Sequence, residues 1–401
     1  MTPTHLDSPV VFSPYAYEVH EDPYPVYARL RAEAPVYHND EFDFWALSRH
    51  ADVLGAFRNV DAFSNSHGVS LDPSAFSPEA HRTMSFLAMD PPRHTRMRSL
   101  VGKGFTPSKV GTMEDRIREI TLEHLEPALE RGTFDFIADF AGRVPMHVIS
   151  ELVGVPRADR AELRRLADLV VHRDDGVFDV PVEGMEAAIT LMAYYQDMVT
   201  DRRRTRRDDL TSALIDAELD GDKLTDQEIN AFLFLMVVAG NETTTKLLGN
   251  AWYWGWRHPD EGRKAFDDPA RVTQWTEETL RYDNSSQMVL RVTRQPVELH
   301  GTTIPAGERV LLIIGSGNRD GDVFEDPDRY DLERDTSKSI SFGNGRHFCM
   351  GAPLARLEAQ IALTELVRRV SAYDVDPDGI RRVHSINVRG HAALPTTVTV
   401  R

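Results

Sequence analysis

The chain has 401 residues, 41% of them hydrophobic, which is ample for a large buried core. Its formal net charge of −17 argues against nucleic acid as a partner and serves mainly solubility. The single cysteine excludes a disulfide framework within the chain and suggests a reducing compartment, and the N-terminus has no apolar run long enough for a signal peptide or membrane anchor, so a cytoplasmic protein with no membrane role is expected.

No internal repeat, low-complexity tract or linker divides the chain, so one domain over residues 1–401 is expected. Residues 20–33 read as a short helix started near Pro23 or Pro25. PVYHND and FWALSR read as two strands joined by a polar turn, followed by a helix from about His50 to Arg58. Residues 64–88 lack a clear period and read as a long loop with one short helix, and ordered loops of that length are often functional. A proline pair at residues 91 and 92 suits a helix start, and His94 and Arg98, four apart, then share a face. Arg93, Arg96 and Lys103 add positive charge, which on its own reads as a solvated basic face. Helical spacing continues from Ser108 to Val155, with further helices over 158–172 and 183–204. RRRTRRDD reads as a charged helix end or a solvated turn.

A long helix is predicted from Thr225, which has capping-box spacing to Glu228, to about Trp256. About 32 residues at 1.5 Å each give ~48 Å, the width of a whole domain. Its middle is apolar on nearly every side and should be buried. It then reads AGNETTT, where Gly240, Glu242 and Thr243 break the local rules of a buried helix, as functional sites tend to. Alternatively, the Thr hydroxyls bond back to carbonyls and Glu242 pairs with a base. In the next helix, over 270–282, Glu278 and Arg281 share a face and read as an ion pair. Alternating apolar residues in the stretch 283–320, with turns at His300-Gly301 and Pro305-Ala306-Gly307, read as a small antiparallel sheet.

The stretch 342–351, FGNGRHFCMG, delivers the lone Cys349 to the start of a helix. Gly343, Gly345 and Gly351 let backbone N–H groups turn towards the sulfur and let a large flat ligand come close. The helix N-terminus, Arg346 and His347 favour a thiolate. A buried structural cysteine would need neither these glycines nor Phe342 seven residues before it. The tail after Val370 is strand-like.

The spacing F-x-x-G-x-x-x-C-x-G with a basic residue two before the cysteine resembles the haem-ligand loop of the cytochrome P450 family, in its soluble bacterial type. The His94/Arg98 phrase, AGNET, Glu278/Arg281, Arg291 and PDRY resemble further marks of the family, in its order and over almost the entire chain. The resemblance implies a mainly α fold with small antiparallel sheets, in a single domain with helix-rich and sheet-rich parts. It implies Cys349 as the iron ligand of haem b, and His94, Arg98, Arg291 and His347 as partners of the propionates, with Phe342, Gly343 and Gly351 shaping the loop. Thr243 and Glu242 would organise proton delivery while Gly240 leaves room for O2. Glu278 and Arg281, joined by Arg329 of PDRY, would support the haem loop. The implied activity is a monooxygenase acting on a small, moderately hydrophobic molecule. Its electrons would come from NAD(P)H through a ferredoxin reductase and a ferredoxin, and the enzyme is expected to be a monomer. Two other readings keep the haem: a peroxide-driven peroxygenase, which the Glu242–Thr243 pair argues against, and a non-catalytic sensor, which leaves that pair unexplained. Candidate pocket residues are those of the 64–88 loop, Leu235, Val238, Ala239, Met288 to Leu290 and Ile386. Many relatives carry a proline near Ser285 or Ser286, so the two serines here alter the pocket wall.

Overall fold

The computed structural model describes residues 9–102, 110–174 and 177–401, so Lys103 lies outside the described residues. The fold is built on the long helix, which spans Asp226–Arg257, 32 residues. The Thr225 hydroxyl accepts from the Glu228 amide at 3.2 Å, and the Glu228 carboxylate accepts from the Thr225 amide at 3.0 Å. This reciprocal cap contributes about 1 kcal/mol and fixes where the helix starts. Because the helix is apolar all round in its middle, other helices cover it on several sides: Val144–Val153, Arg160–Val171, Val182–Arg204, Val272–Tyr282 and Ala352–Arg369. Two apolar cores form along it. One, around Phe136, Trp252, Trp275 and Leu363, lies at its C-terminal half; the other, around Ile149, Leu191, Phe232 and Val237, at its N-terminal half.

The sheet-rich part is a five-stranded sheet in the order Val36–Asn39, Phe44–Leu47, Arg309–Leu312, Val289–Thr293, Phe63–Ser64. Its pairings are antiparallel except that Arg309–Leu312 runs parallel to Phe44–Leu47. The hairpin at His300-Gly301 forms as expected, between Val297–Leu299 and Thr302–Ile304. The helix expected over 20–33 is two helices, Tyr17–Glu21 and Tyr24–Glu33, because Pro23 breaks the first. The helical stretch expected from Ser108 to Val155 is interrupted as well. Gly132, at φ 70°, ends the helix Glu114–Arg131, and Thr133–Asp135 then pairs with Pro395–Thr397 near the other end of the chain. A strand partner so distant leaves no local trace. The charged segment RRRTRRDD is not fully solvated either: Arg202 is buried and donates to Asp209 at 2.6 Å and to the Gly154 carbonyl at 2.9 Å.

Three segments distant in sequence are clasped together. Arg173, just after the helix Arg160–Val171, makes a bidentate pair with buried Asp72, both contacts at 2.9 Å. The Arg173 amide donates to the His384 carbonyl at 3.0 Å, and Asn387 Nδ2 donates to the Ser70 hydroxyl at 2.8 Å. Asp179 Oδ1 accepts from the amide and hydroxyl of Ser74 at 3.0 and 2.6 Å. Among the described residues no helix is long and apolar enough to cross a membrane.

Candidate active site

The cysteine loop closes on itself where the Cys349 amide donates to the Phe342 carbonyl at 2.9 Å. Gly343 and Gly345 sit at φ 69° and 67°, which side-chain-bearing residues rarely adopt, and a Cβ on Gly345 would lie 2.8 Å from the Phe57 carbonyl oxygen. Gly351 has ordinary backbone angles; a Cβ there would stand 3.9 Å from the Cys349 sulfur. The thiol opens on a cavity of about 280 Å³ that Phe342, Gly343 and Gly351 also line. Burial pushes the thiol up, and the N–H groups of Gly351 and Ala352 with Arg98 and Arg356 oppose this without prevailing. The thiolate expected from the helix start therefore does not follow from the protein alone. A coordinated metal ion would deprotonate the sulfur outright.

Around this cavity Arg98 and Arg291 have no ion-pair partner among the described residues, and His94 and His347 stand beside them. Arg291 is buried, donates to the Leu290 carbonyl at 2.7 Å as its one hydrogen bond among the described residues, and burial pulls it down to about 10. Arg98 Nη2 donates to the Phe348 carbonyl at 2.6 Å, while Nη1 is buried with no acceptor among the described residues. The His94 and His347 rings lie tilted at 45° with centroids 4.1 Å apart, and all four of their ring nitrogens are buried with no partner among the described residues. Burial, and then the neighbouring arginines, lower His94 to about 4; burial, then Arg291 and His94, lower His347 to about 2. Unpaired buried donors on this scale are destabilising. The carboxylates of a flat dianionic ligand would accept from Arg98, Arg291 and one N–H of each imidazole, and the thiol beside them is a suitable metal ligand. The residues present therefore fit haem.

The long helix passes the same cavity with Leu235, Met236, Ala239, Gly240, Thr243 and Thr244. The Thr243 hydroxyl donates to the Ala239 carbonyl at 2.8 Å, and the Thr243 carbonyl accepts from Ser285 Oγ at 2.7 Å. A Cβ on Gly240 would meet Ile149 at 3.6 Å, an ordinary contact. Glu242 does not line the cavity. It is buried, with Lys246 Nζ at 3.2 Å, and it hydrogen-bonds Asp168 of the helix Arg160–Val171. Burial works to raise Glu242, but Lys246 outweighs it and holds the acid below its ordinary range. Asp168 instead is pushed up to about 8, by burial first and then by Glu242. The two carboxyls oppose each other's ionisation, and Asp168 is the one pushed towards keeping its proton. Nothing in the local sequence around Asp168 marked it as the partner of Glu242.

Glu278 and Arg281 form a buried bidentate pair with both contacts at 2.8 Å. Arg281 also donates to the carbonyls of Asn318, Pro327 and Arg329. The expected third member, Arg329, contributes only that carbonyl. Its own side chain is 59% exposed and lies 3.8 Å from Asp331. Arg334 takes the place, with Nε 3.5 Å from Glu278 and a 9% exposed side chain. The backbone turns between the two, at Asp331-Leu332, whose amides are held by Glu278 and Glu261, and this directs the later arginine inward. Arg96, expected on a solvated face, is tied to Asp222 and to Glu228.

Of the expected wall residues, Leu235, Ala239 and Val289 line the cavity, as do Val69, Phe86 and Leu87 of the 64–88 loop. Val238 packs instead into the neighbouring core, and Met288, Leu290 and Ile386 pack with Leu71 and Phe44. Sequence reading missed Glu358, which also lines the cavity. It is fully buried on the helix that follows Cys349, has one oxygen without a partner, and is pushed well up by burial. Its signal was an acid in the apolar stripe of Leu354 and Ile361.

The Cytochrome P450 family model matches residues 182–381. The chain is 57% identical over 396 residues to a protein of Mycobacterium tuberculosis described as putative cytochrome P450 123, covering 98% of each. The structure of cytochrome P450 CYP109Q5 from Chondromyces apiculatus superimposes with a TM-score of 0.87 at 36% identity, covering 97% of this chain and 98% of that one. That of CYP109E1 from Bacillus megaterium in complex with corticosterone does so with a TM-score of 0.84 at 31% identity, covering 95% and 99%.

Proposed function

This chain belongs to the cytochrome P450 family and is a monooxygenase, and from that premise we propose that it acts as a single-domain monomer on a small, moderately hydrophobic molecule, with electrons passed from NAD(P)H by a ferredoxin reductase and a ferredoxin. The observation that carries the site assignment is the set of buried, uncompensated donors beside the only cysteine. His94, Arg98, Arg291 and His347 hold the two propionates of haem, and Cys349 is the iron ligand. When bound there, thiolate-ligated haem supplies oxygen activation and the insertion of one oxygen atom into the substrate.

The chain's own contribution is positioning, water exclusion and proton supply. Leu235, Ala239, Val289 and Phe86 give the cavity an apolar wall that excludes water and favours an apolar substrate. Thr243 places a hydroxyl at the cavity, with the Ala239 carbonyl as its resting acceptor. Asp168 holds a proton at neutral pH within hydrogen-bond reach of Glu242, so Glu242 can take that proton from the solvent side and relay it towards Thr243. Exposed Arg93 and Arg346 near the cysteine loop give an acidic ferredoxin a basic place to dock on an otherwise acidic protein. The corticosterone complex of the Bacillus megaterium relative supports substrates in the size range of a steroid.

The test is product formation by the haem-loaded protein with ferredoxin, reductase and NAD(P)H, compared with hydrogen peroxide alone. Turnover with the electron chain and little with peroxide is expected. Equal or greater turnover with peroxide would replace this reading with the peroxygenase one, and no turnover of any ligand that shifts the Soret band would leave a binding protein.

A further inference from the structure

One stretch of the cavity wall is polar where its surroundings are not. Asn284, Ser285 and Ser286 follow the helix Val272–Tyr282 and all three line the cavity, next to Val69, Phe86 and Val289. Ser285 is engaged, donating to the Thr243 carbonyl at 2.7 Å. The turn is braced by Gln287, whose amide nitrogen donates to the Asn284 carbonyl at 2.8 Å. Asn284 Nδ2 donates to the Ser286 carbonyl, which fixes the orientation of the amide. That leaves Asn284 Oδ1 buried with no donor among the described residues, on a side chain 1% exposed. Beside it, half-buried Ser286 lines the same cavity and carries a hydroxyl able to donate. A buried amide oxygen without a donor is destabilising, and an apolar residue of similar shape would fill the same wall without that penalty.

We propose that Asn284 and Ser286 form a hydrogen-bonding subsite that selects substrates carrying a hydroxyl on an otherwise apolar frame. This rests on the reading of the cavity as the substrate chamber of a haem monooxygenase. A hydroxyl matches both groups at once: its O–H donates to Asn284 Oδ1 and its oxygen accepts from Ser286 Oγ–H. An ether, ketone or methyl group in the same place leaves Asn284 Oδ1 unpaired, so discrimination comes from the acceptor that a wrong ligand cannot satisfy. The Ser285–Thr243 bond ties this turn to the long helix beside the cavity. The distance from the anchored hydroxyl to the oxidised carbon is therefore set by the protein, and the subsite determines where along its frame a substrate is attacked.

The test uses the haem-loaded full chain and imidazoles bearing alkyl chains of graded length that end in methyl, methoxy or hydroxyl. The imidazole ring reports its binding to iron in the visible spectrum whatever the chain end. In an apolar cavity a methyl end should bind tighter than a hydroxyl end. With the subsite present, the order is expected to invert at one chain length, the hydroxyl binding about fivefold tighter than the methoxy analogue. The ratio should fall towards one in Ser286→Ala and in Asn284→Leu. A hydroxyl that gains nothing at any length, or a preference that survives both substitutions, overturns the proposal. If the methyl-ended imidazoles give no spectral change, the haem reading beneath it fails instead, and that result is separable because it does not depend on the chain end.

Discussion

Replacing Glu278 by Ala tests the largest concentration of buried charge near the cysteine loop. The substitution leaves Arg281, which is fully buried, facing three carbonyls with no carboxylate. Removing one partner of a buried ion pair costs about 3–5 kcal/mol. It also frees the Asp331 amide, bound to Glu278 at 3.0 Å, and removes the charge facing Arg334. Against a total stability of about 5–15 kcal/mol, that is about a fifth or more of what holds the fold. The loss is directed at the haem site, because the network continues into the loop. Arg281 holds the Asn318 carbonyl, Asn318 Oδ1 accepts from the Ile340 amide at 2.9 Å, and Ser341 Oγ donates to the Leu280 carbonyl at 2.6 Å. Residues 340 and 341 lead directly into Phe342 and the cysteine loop. Urea unfolding of Glu278→Ala, with haem content measured on the same preparation, should show a shift of that size and sub-stoichiometric haem. The further substitution Arg281→Met should recover part of the loss, since it removes the stranded charge. A fully loaded Glu278→Ala variant within ~1 kcal/mol of the parent would refute the reasoning.

Cys349→Ala should abolish the long-wavelength Soret band that a thiolate ligand gives the reduced carbon monoxide complex; its survival would remove Cys349 as ligand. Thr243→Ala should keep NAD(P)H consumption while product per electron pair falls, and unchanged coupling would mean that the hydroxyl bound to Ala239 has no part in proton delivery. Asp168 titrates near 8 in the fold against an ordinary 3.8, so the folded state holds its proton more tightly and its contribution to stability fades as pH rises through that window. Asp168→Asn, which cannot ionise, should therefore lose less stability than the parent between about pH 5 and pH 8; parallel profiles would show that Asp168 is ionised throughout. Glu358 is pushed well up by burial alone, so Glu358→Gln should stay within about 1 kcal/mol of the parent in thermal unfolding. A large loss would show that it is a carboxylate.

How much was legible in the sequence depended on how local each feature is. The Thr225/Glu228 cap, the Glu278/Arg281 pair and the cysteine loop each lie within ten residues, so spacing alone located them. Arg329 stood where a motif suggested, but which of two arginines five residues apart turns inward depends on amides held by Glu278 and Glu261, and spacing carries no such information. Glu242, expected with Thr243 in proton delivery or else paired with a base, has its base in Lys246 at 3.2 Å and does not line the cavity that Thr243 lines. A step of one residue turns a helical side chain by about 100°, and that step is enough to point it at Asp168 instead. The strand Thr133–Asp135 and the Asp72–Arg173 clasp depend on partners far along the chain and were not readable at all.

That clasp bears on the rate at which ligands come and go. Val69, three residues from Asp72, is part of the cavity wall, and its carbonyl is held by the Leu290 amide at 2.8 Å. A molecule passing on that side must separate a buried bidentate pair, and with it the attachments of Ser70 to Asn387 and of Ser74 to Asp179. Exchange there is limited by the frequency of this opening, so association saturates with ligand concentration and residence times are long. Ionic strength has little purchase on a pair shielded from solvent, and both rates should change little with added salt.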